Sequence, residues 1–163
     1  CHEIIDYIMA HADKDMQCRL NFFGGEPMLR MDTIDAVLNY ISEKYADRNV
    51  GYGITTNGTL FTDENIEYFK NHHIDILYSY DGPEEFTTHR VFPNGKRSND
   101  LVLKNILKVK AAGVKFQMRA TIIWRYARIT RASATHCSVK GLVHLGSTPF
   151  LFSVVKLEIT RLA

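Results

Sequence analysis

The chain is 163 residues long, 45% apolar and 23% charged, with a net charge of +2. That leaves room for one domain with a real core, or for a piece of a larger one, of ordinary soluble composition. No apolar run approaches the roughly 18 to 20 residues needed to cross a bilayer, no charged-then-apolar leader opens the chain, and three scattered cysteines (Cys1, Cys18, Cys137) exclude a disulfide framework, which makes a reducing cytoplasm the expected compartment.

Residues 2–12 carry Ile4, Ile5 and Ile8 at helical spacing. His2 and His11 read as surface residues of that helix. A short apolar run with aromatics, residues 19–23, predicts a buried strand that stops at Gly24-Gly25-Glu26-Pro27. Paired glycines open backbone conformations closed to other residues and allow close approach of a ligand; Pro27 stiffens the exit. A lone carboxylate there suits a cationic group such as an ammonium. A second helix follows, with Asp32 as candidate N-cap and Ile34, Val37, Leu38, Ile41 and Tyr45 on one face, closed by Asp47, Arg48 and Asn49. A strand over residues 50–55 ends in Thr56-Asn57-Gly58-Thr59. Thr62 caps a third helix with Ile66 and Phe69 on its buried side and Asp63 and Glu64 in its first turn, near the positive end of the helix dipole.

Residues 74–80 predict the third strand, ending in Asp81-Gly82-Pro83. After a polar loop with Arg90, Ser98 begins a fourth helix with Val102, Ile106 and Val109 on one face and Ala111-Ala112-Gly113 as its stop. Residues 114–123 predict the fourth strand. Alternating strands and helices demand parallel strands with right-handed crossovers, an α/β architecture. The strands lack strict polar alternation, so both faces of the sheet are expected to be covered. Residues 124–163 break the rhythm: six Lys or Arg face one acid there, while residues 1–123 are net negative. A basic patch suits nucleic acid, but stacking aromatics are not interleaved with it and nucleic-acid binding is not expected. The chain therefore divides into a core, 1–123, and an atypical basic segment, 124–163.

Three consecutive strand ends carry the unusual residues, and in parallel α/β structures ligands bind where such loops converge. As a set, Asn21 to Arg30 (NFFGGEPMLR), Ile54 to Leu60 (ITTNGTL), Ser79 to Pro83 with His89-Arg90, and Arg119 to Ile122 (RATI) resemble the radical S-adenosylmethionine (radical SAM) superfamily. The likeness is strongest to the anaerobic sulfatase-maturase and peptide-modifying branch, whose members often carry a cluster extension called SPASM. It covers roughly residues 1–123.

The resemblance implies a partial (β/α) barrel that binds S-adenosylmethionine across its strand ends. Gly24, Gly25 and Glu26 would meet the methionyl ammonium, with Pro27 shaping the turn. Thr56 and Asn57 would lie near the sulfonium and ribose; Ser79 would help hold the carboxylate or ribose, with Asp81 beside it. Arg119 is a possible carboxylate partner, and Arg90 is either another or half of a surface ion pair. In the family, a 4Fe–4S cluster delivers the electron that cleaves S-adenosylmethionine to a 5′-deoxyadenosyl radical, and in this branch the radical attacks a protein or peptide substrate.

Here the chain departs from the pattern. The family's Cys-x3-Cys-x2-Cys loop has no counterpart in its sequence, and no cysteine is assigned to iron. The chain reads as a fragment, starting after that loop and ending abnormally, and as inactive alone. The alternative is a non-catalytic module that binds S-adenosylmethionine or a nucleotide. The identity of the substrate is not legible in the sequence.

Overall fold

A computed structural model of the chain describes residues 2–82 and 90–119. Cys1, Pro83, His89, Cys137, the expected strand beyond Arg119 and the whole basic segment lie outside the described residues. Helix α1 spans His2–His11, strand β1 Cys18–Phe22, helix α2 Met31–Lys44, β2 Val50–Thr56, α3 Asp63–Asn71, β3 Ile74–Ser79, α4 Asn99–Ala111 and β4 Phe116–Arg119, with a 3-10 turn at Pro27–Arg30. The four described strands form one parallel sheet in the order β1-β2-β3-β4. None of the described helices is long and apolar enough to cross a membrane.

Local chemistry accounts for most boundaries. The α3 helix opens on a reciprocal capping box: the Thr62 hydroxyl accepts from the Asn65 amide and the Asn65 side chain accepts from the Thr62 amide. Gly113, at φ +76, turns the chain out of α4 in the left-handed conformation that glycine tolerates. The expected cap of α2 is corrected. Arg30 holds the N-cap position, and Asp32 lies inside the first turn, where its carboxylate accepts from the Arg30 guanidinium at 2.9 Å. The same helix ends at Lys44, earlier than residues 47–49, and Tyr45 is its C-cap.

Two covered sheet faces were expected; among the described residues, helices cover one. Register puts Leu20, Tyr52, Ile54, Ile74, Ile76, Tyr78, Phe116 and Met118 on one face. That face packs on Ile34 and Leu38 of α2, Ile66 and Phe69 of α3, and Val102, Ile106 and Val109 of α4. A second cluster joins Ile5 and Met9 of α1 to Val37 and Ile41 of α2. The intervening residues, among them Arg19, Asn21, Thr55, Asp75, Leu77 and Gln117, form the opposite face, where burial is only partial. The strand order explains this: when each crossover steps the same way, as in a barrel wall, all helices fall on one side. In β3 the burial alternates strictly along the strand, so the period-two pattern is present after all.

The α1–α2 contact has a polar clip. The hydroxyls of Tyr40 and Tyr45 each donate to one oxygen of Asp6 at 2.7 Å, and Lys44 donates to the other at 2.9 Å. His2 stacks on Tyr40 with ring centroids 3.9 Å apart. The bonds from Tyr45, Tyr40 and Lys44 pull the Asp6 carboxyl down to about 2.

Candidate functional site at the carboxyl ends of the strands

The loop after β1 is built on Glu26. It sits in extended backbone (φ −145, ψ 105), as the residue before a proline prefers, and caps the 3-10 turn whose first residue is Pro27. The missing amide of Pro27 costs nothing there, because that donor has no partner within a turn.

Glu26 ties this loop to the end of β2. Its Oε1 accepts from the Met28 amide at 3.2 Å and from the Thr56 hydroxyl at 2.8 Å, while Oε2 accepts from the Asn57 amide at 2.8 Å. Thr56 is 2% exposed and points into the core side of the sheet, with the Met28 sulfur 3.5 Å from its hydroxyl, which also accepts from the Gly58 amide. The Asn57 carbonyl is held by the Thr59 amide and hydroxyl, which leaves Nδ2 as the end it presents. Gly58, at φ +79, meets a different requirement. A Cβ there would come within 2.9 Å of Tyr78 and Val102, so the turn lies directly on the core.

Gly24 and Gly25 behave differently. Both are exposed, neither has a left-handed φ, and a Cβ on either would meet nothing within 4 Å. Nothing inside the described protein therefore requires glycine at these two positions. The backbone of both is open to solvent at the carboxyl end of β1.

The third loop converges less tightly. Ser79 ends β3 opposite Arg119 in register, on the partly exposed face. The Tyr80 amide donates to the Arg119 carbonyl at 3.1 Å. Asp81 and Arg90 form a two-point ion pair, the guanidinium Nε and Nη2 each donating to one carboxylate oxygen, with both side chains mostly buried. Arg90 thus takes the ion-pair reading. Its pair with Asp81 closes the loop that leads into α4, helped by the Ser98 amide on the Arg90 carbonyl and by Asn99 on the Gly82 carbonyl at 2.7 Å.

The structure brings Glu26, Thr56 and Asn57 into direct contact and places Ser79 and Arg119 as neighbours on adjoining strands. Supports that sequence reasoning missed lie behind them. Asn105 in α4 is 4% exposed and donates to the Gly58 carbonyl at 2.9 Å, bracing the second loop. The signal for it was present: an amide side chain on the same helical stripe as Val102, Ile106 and Val109. The Tyr78 ring supports the same loop, and burial pushes its phenol well above the ordinary value.

The donor set does not fit a 4Fe–4S cluster. Such a cluster needs thiolates converging on one point. The described free cysteine, Cys18, begins β1 on the helix-covered face, and no group of three potential metal ligands occurs among the described residues.

Comparison with known proteins adds the following. The Radical SAM superfamily profile matches residues 1–123. The chain is 34% identical over 107 residues to the radical SAM cyclopropyl synthase TigE of Paramaledivibacter caminithermalis, covering 65% of this chain and 21% of that protein. It is 33% identical over 108 residues to the serine-type anaerobic sulfatase-maturating enzyme of Bacteroides thetaiotaomicron, covering 65% and 26%, and 28% identical over 117 residues to the cysteine-type enzyme of Clostridium novyi, covering 69% and 31%. Among solved structures, anSMEcpe with bound AdoMet and Kp18Cys peptide superposes with a TM-score of 0.78 at 20% identity, over 85% of this chain and 39% of that one. At that identity the likeness is one of fold. The chain spans well under half the length of each of these relatives.

Proposed function

Because the chain belongs to the radical SAM superfamily, we propose that its carboxyl-end rim is the S-adenosylmethionine cradle of an enzyme that modifies a protein or peptide. One observation carries this reading: two exposed glycines that no internal contact requires stand directly before a carboxylate fixed by three hydrogen bonds. An ionised carboxylate has about four lone-pair sites, so one stays open for the methionyl ammonium. The bare backbone of Gly24 and Gly25 lets the ligand approach.

In this reading Thr56 acts by orienting Glu26, and Asn57 offers Nδ2 to the ribose or the sulfonium side. Ser79 and Arg119 offer a hydroxyl and a cation to the ligand's carboxylate. Asp81 acts through its pair with Arg90, holding the third loop in place. Bound there, S-adenosylmethionine supplies the 5′-deoxyadenosyl group that family chemistry uses for hydrogen abstraction. In this reading the described strand ends have a binding role.

Calorimetry on the chain tests the cradle. Binding tighter than about 100 μM, roughly 5.5 kcal/mol, that is lost in Glu26→Ala and weakened in Gly25→Ala is the expected result. Absence of binding, or binding indifferent to both substitutions, would overturn the reading.

A further inference from the structure

Among the described residues, the sheet face without helices carries a second feature, which runs from the amino ends of the strands toward the cradle. A cleft of about 410 Å³ opens over all four described strands. Its floor is charged: Arg19 donates to Asp75 at 2.8 Å, and Lys115 stands 3.5 Å from the same Asp75 oxygen. Two cations thus face one carboxylate. The longer Lys115 contact lies outside the 2.7–2.9 Å of a strong charge-assisted bond, and Lys115 is 75% exposed. Arg19 uses a single nitrogen on Asp75, although a guanidinium has five N–H donors.

Glycine keeps this floor open. Arg19 reaches from β1 across β2 to β3, and a Cβ on Gly53 would come within 2.9 Å of its Nη2 and 2.3 Å of the Asn21 side chain. The side amides of Asn21 and Gln117 line the same walls, and Phe23, 72% exposed, stands at the cradle end. A cation-rich floor, amide donors and an apolar rim are the recognition elements of a carboxylate on a short apolar stem.

We propose that this cleft receives an Asp or Glu side chain of an acidic peptide, bound by Lys115 and the unused donors of Arg19. The peptide as ligand class rests on the function proposed above; the preference for a carboxylate rests on the cleft alone. Such a site biases the modification toward sequences with an acidic residue near the target.

The test is fluorescence anisotropy on the full chain with labelled peptides containing Asp or Glu, against twins carrying Asn or Gln. We expect the acidic peptides to bind about tenfold more tightly, Lys115→Gln to remove most of that ratio, and Asp75→Asn to increase it by relieving repulsion. Lys115 is exposed enough for its substitution to leave folding intact, and Asp75→Asn must move affinity the opposite way, so misfolding cannot mimic the pattern. Equal binding of acidic and amide peptides, or a ratio unmoved by Lys115→Gln, would overturn the proposal. Glutarate binding as tightly as the peptide would overturn the peptide assignment. Calorimetry with S-adenosylmethionine on the same samples separates the two ideas: an intact acidic preference without cofactor binding sinks the cradle and leaves the cleft standing.

Discussion

Neighbouring residues of one strand lead opposite lives in this sheet. Ile76 is 1% exposed beneath α3 and α4, whereas Leu77, the next residue, lies on the face with the charged cleft. The first face is close-packed and apolar; the second holds Arg19, Asn21, Asp75 and Gln117 beside a few apolar groups. Stability therefore resides on one side of the sheet, and the groups that can meet a ligand lie on the other side and along the carboxyl-end rim. A strand can serve both because its side chains alternate.

The largest effect expected from this division is in paired alanine substitutions. Ile76→Ala should cost about 2–5 kcal/mol in urea unfolding, as a buried large-to-small change. Leu77→Ala should cost less, about 1–2 kcal/mol, because Leu77 is only partly buried. Equal losses would break the contrast.

The glycines offer a second comparison. Gly58→Ala forces a Cβ onto Tyr78 and Val102 at a left-handed φ, and strain and overpacking together should cost about 2–4 kcal/mol. Gly25→Ala meets nothing, so its melting midpoint should stay within about a degree of the parent's while affinity for S-adenosylmethionine falls. A comparable loss of stability in both would place Gly25 among the structural glycines.

Glu26→Ala lies between these extremes. It strips the acceptor from the Thr56 hydroxyl and the Asn57 amide, a loss of about 1–3 kcal/mol where such groups are buried. Thermal unfolding with and without S-adenosylmethionine should show the modest destabilisation and the absence of ligand-induced stabilisation together.

The smallest effect concerns acid. The Asp6 carboxyl sits at about 2 in the folded chain against an ordinary value of 3.8, and Asp32, bonded to Arg30, is likewise near 2. A folded value below the unfolded one means that the stabilisation is complete above about pH 4 and fades as the pH falls toward 2. Asp6→Asn should flatten that part of the melting-temperature profile. Asp32→Asn should flatten it less, because Asp32 answers one neighbouring arginine and Asp6 clips two helices.

Much of this architecture was legible in the residues. The apolar stripes of α2, α3 and α4 and the Thr62 cap follow from local spacing and capping chemistry, because those interactions run between residues a few positions apart, and the parallel direction of the strands follows from the alternation of strand and helix. The signature loops were legible for a related reason: Gly-Gly-Glu-Pro and Thr-Asn-Gly-Thr each fix their own turn. Three things were not. Asp32 loses the cap position because the turn at residues 27–30 brings the chain in two residues earlier. Thr56 faces the core because strand register decides which of two adjacent threonines faces the ligand side. That the described helices share one face was hidden because coverage depends on strand order, which residue spacing does not give.

What sequence alone determined is the set of elements and the identity of the groups at their ends, since helix stripes, caps and turn residues act over a few positions. Only the tertiary structure decided that Glu26 answers to Thr56 and Asn57, that Asp81 is held by Arg90, and that Arg19 crosses Gly53 to reach Asp75. Those contacts join residues from 9 to 56 positions apart, and such distances are closed by packing the helices onto one face of the sheet.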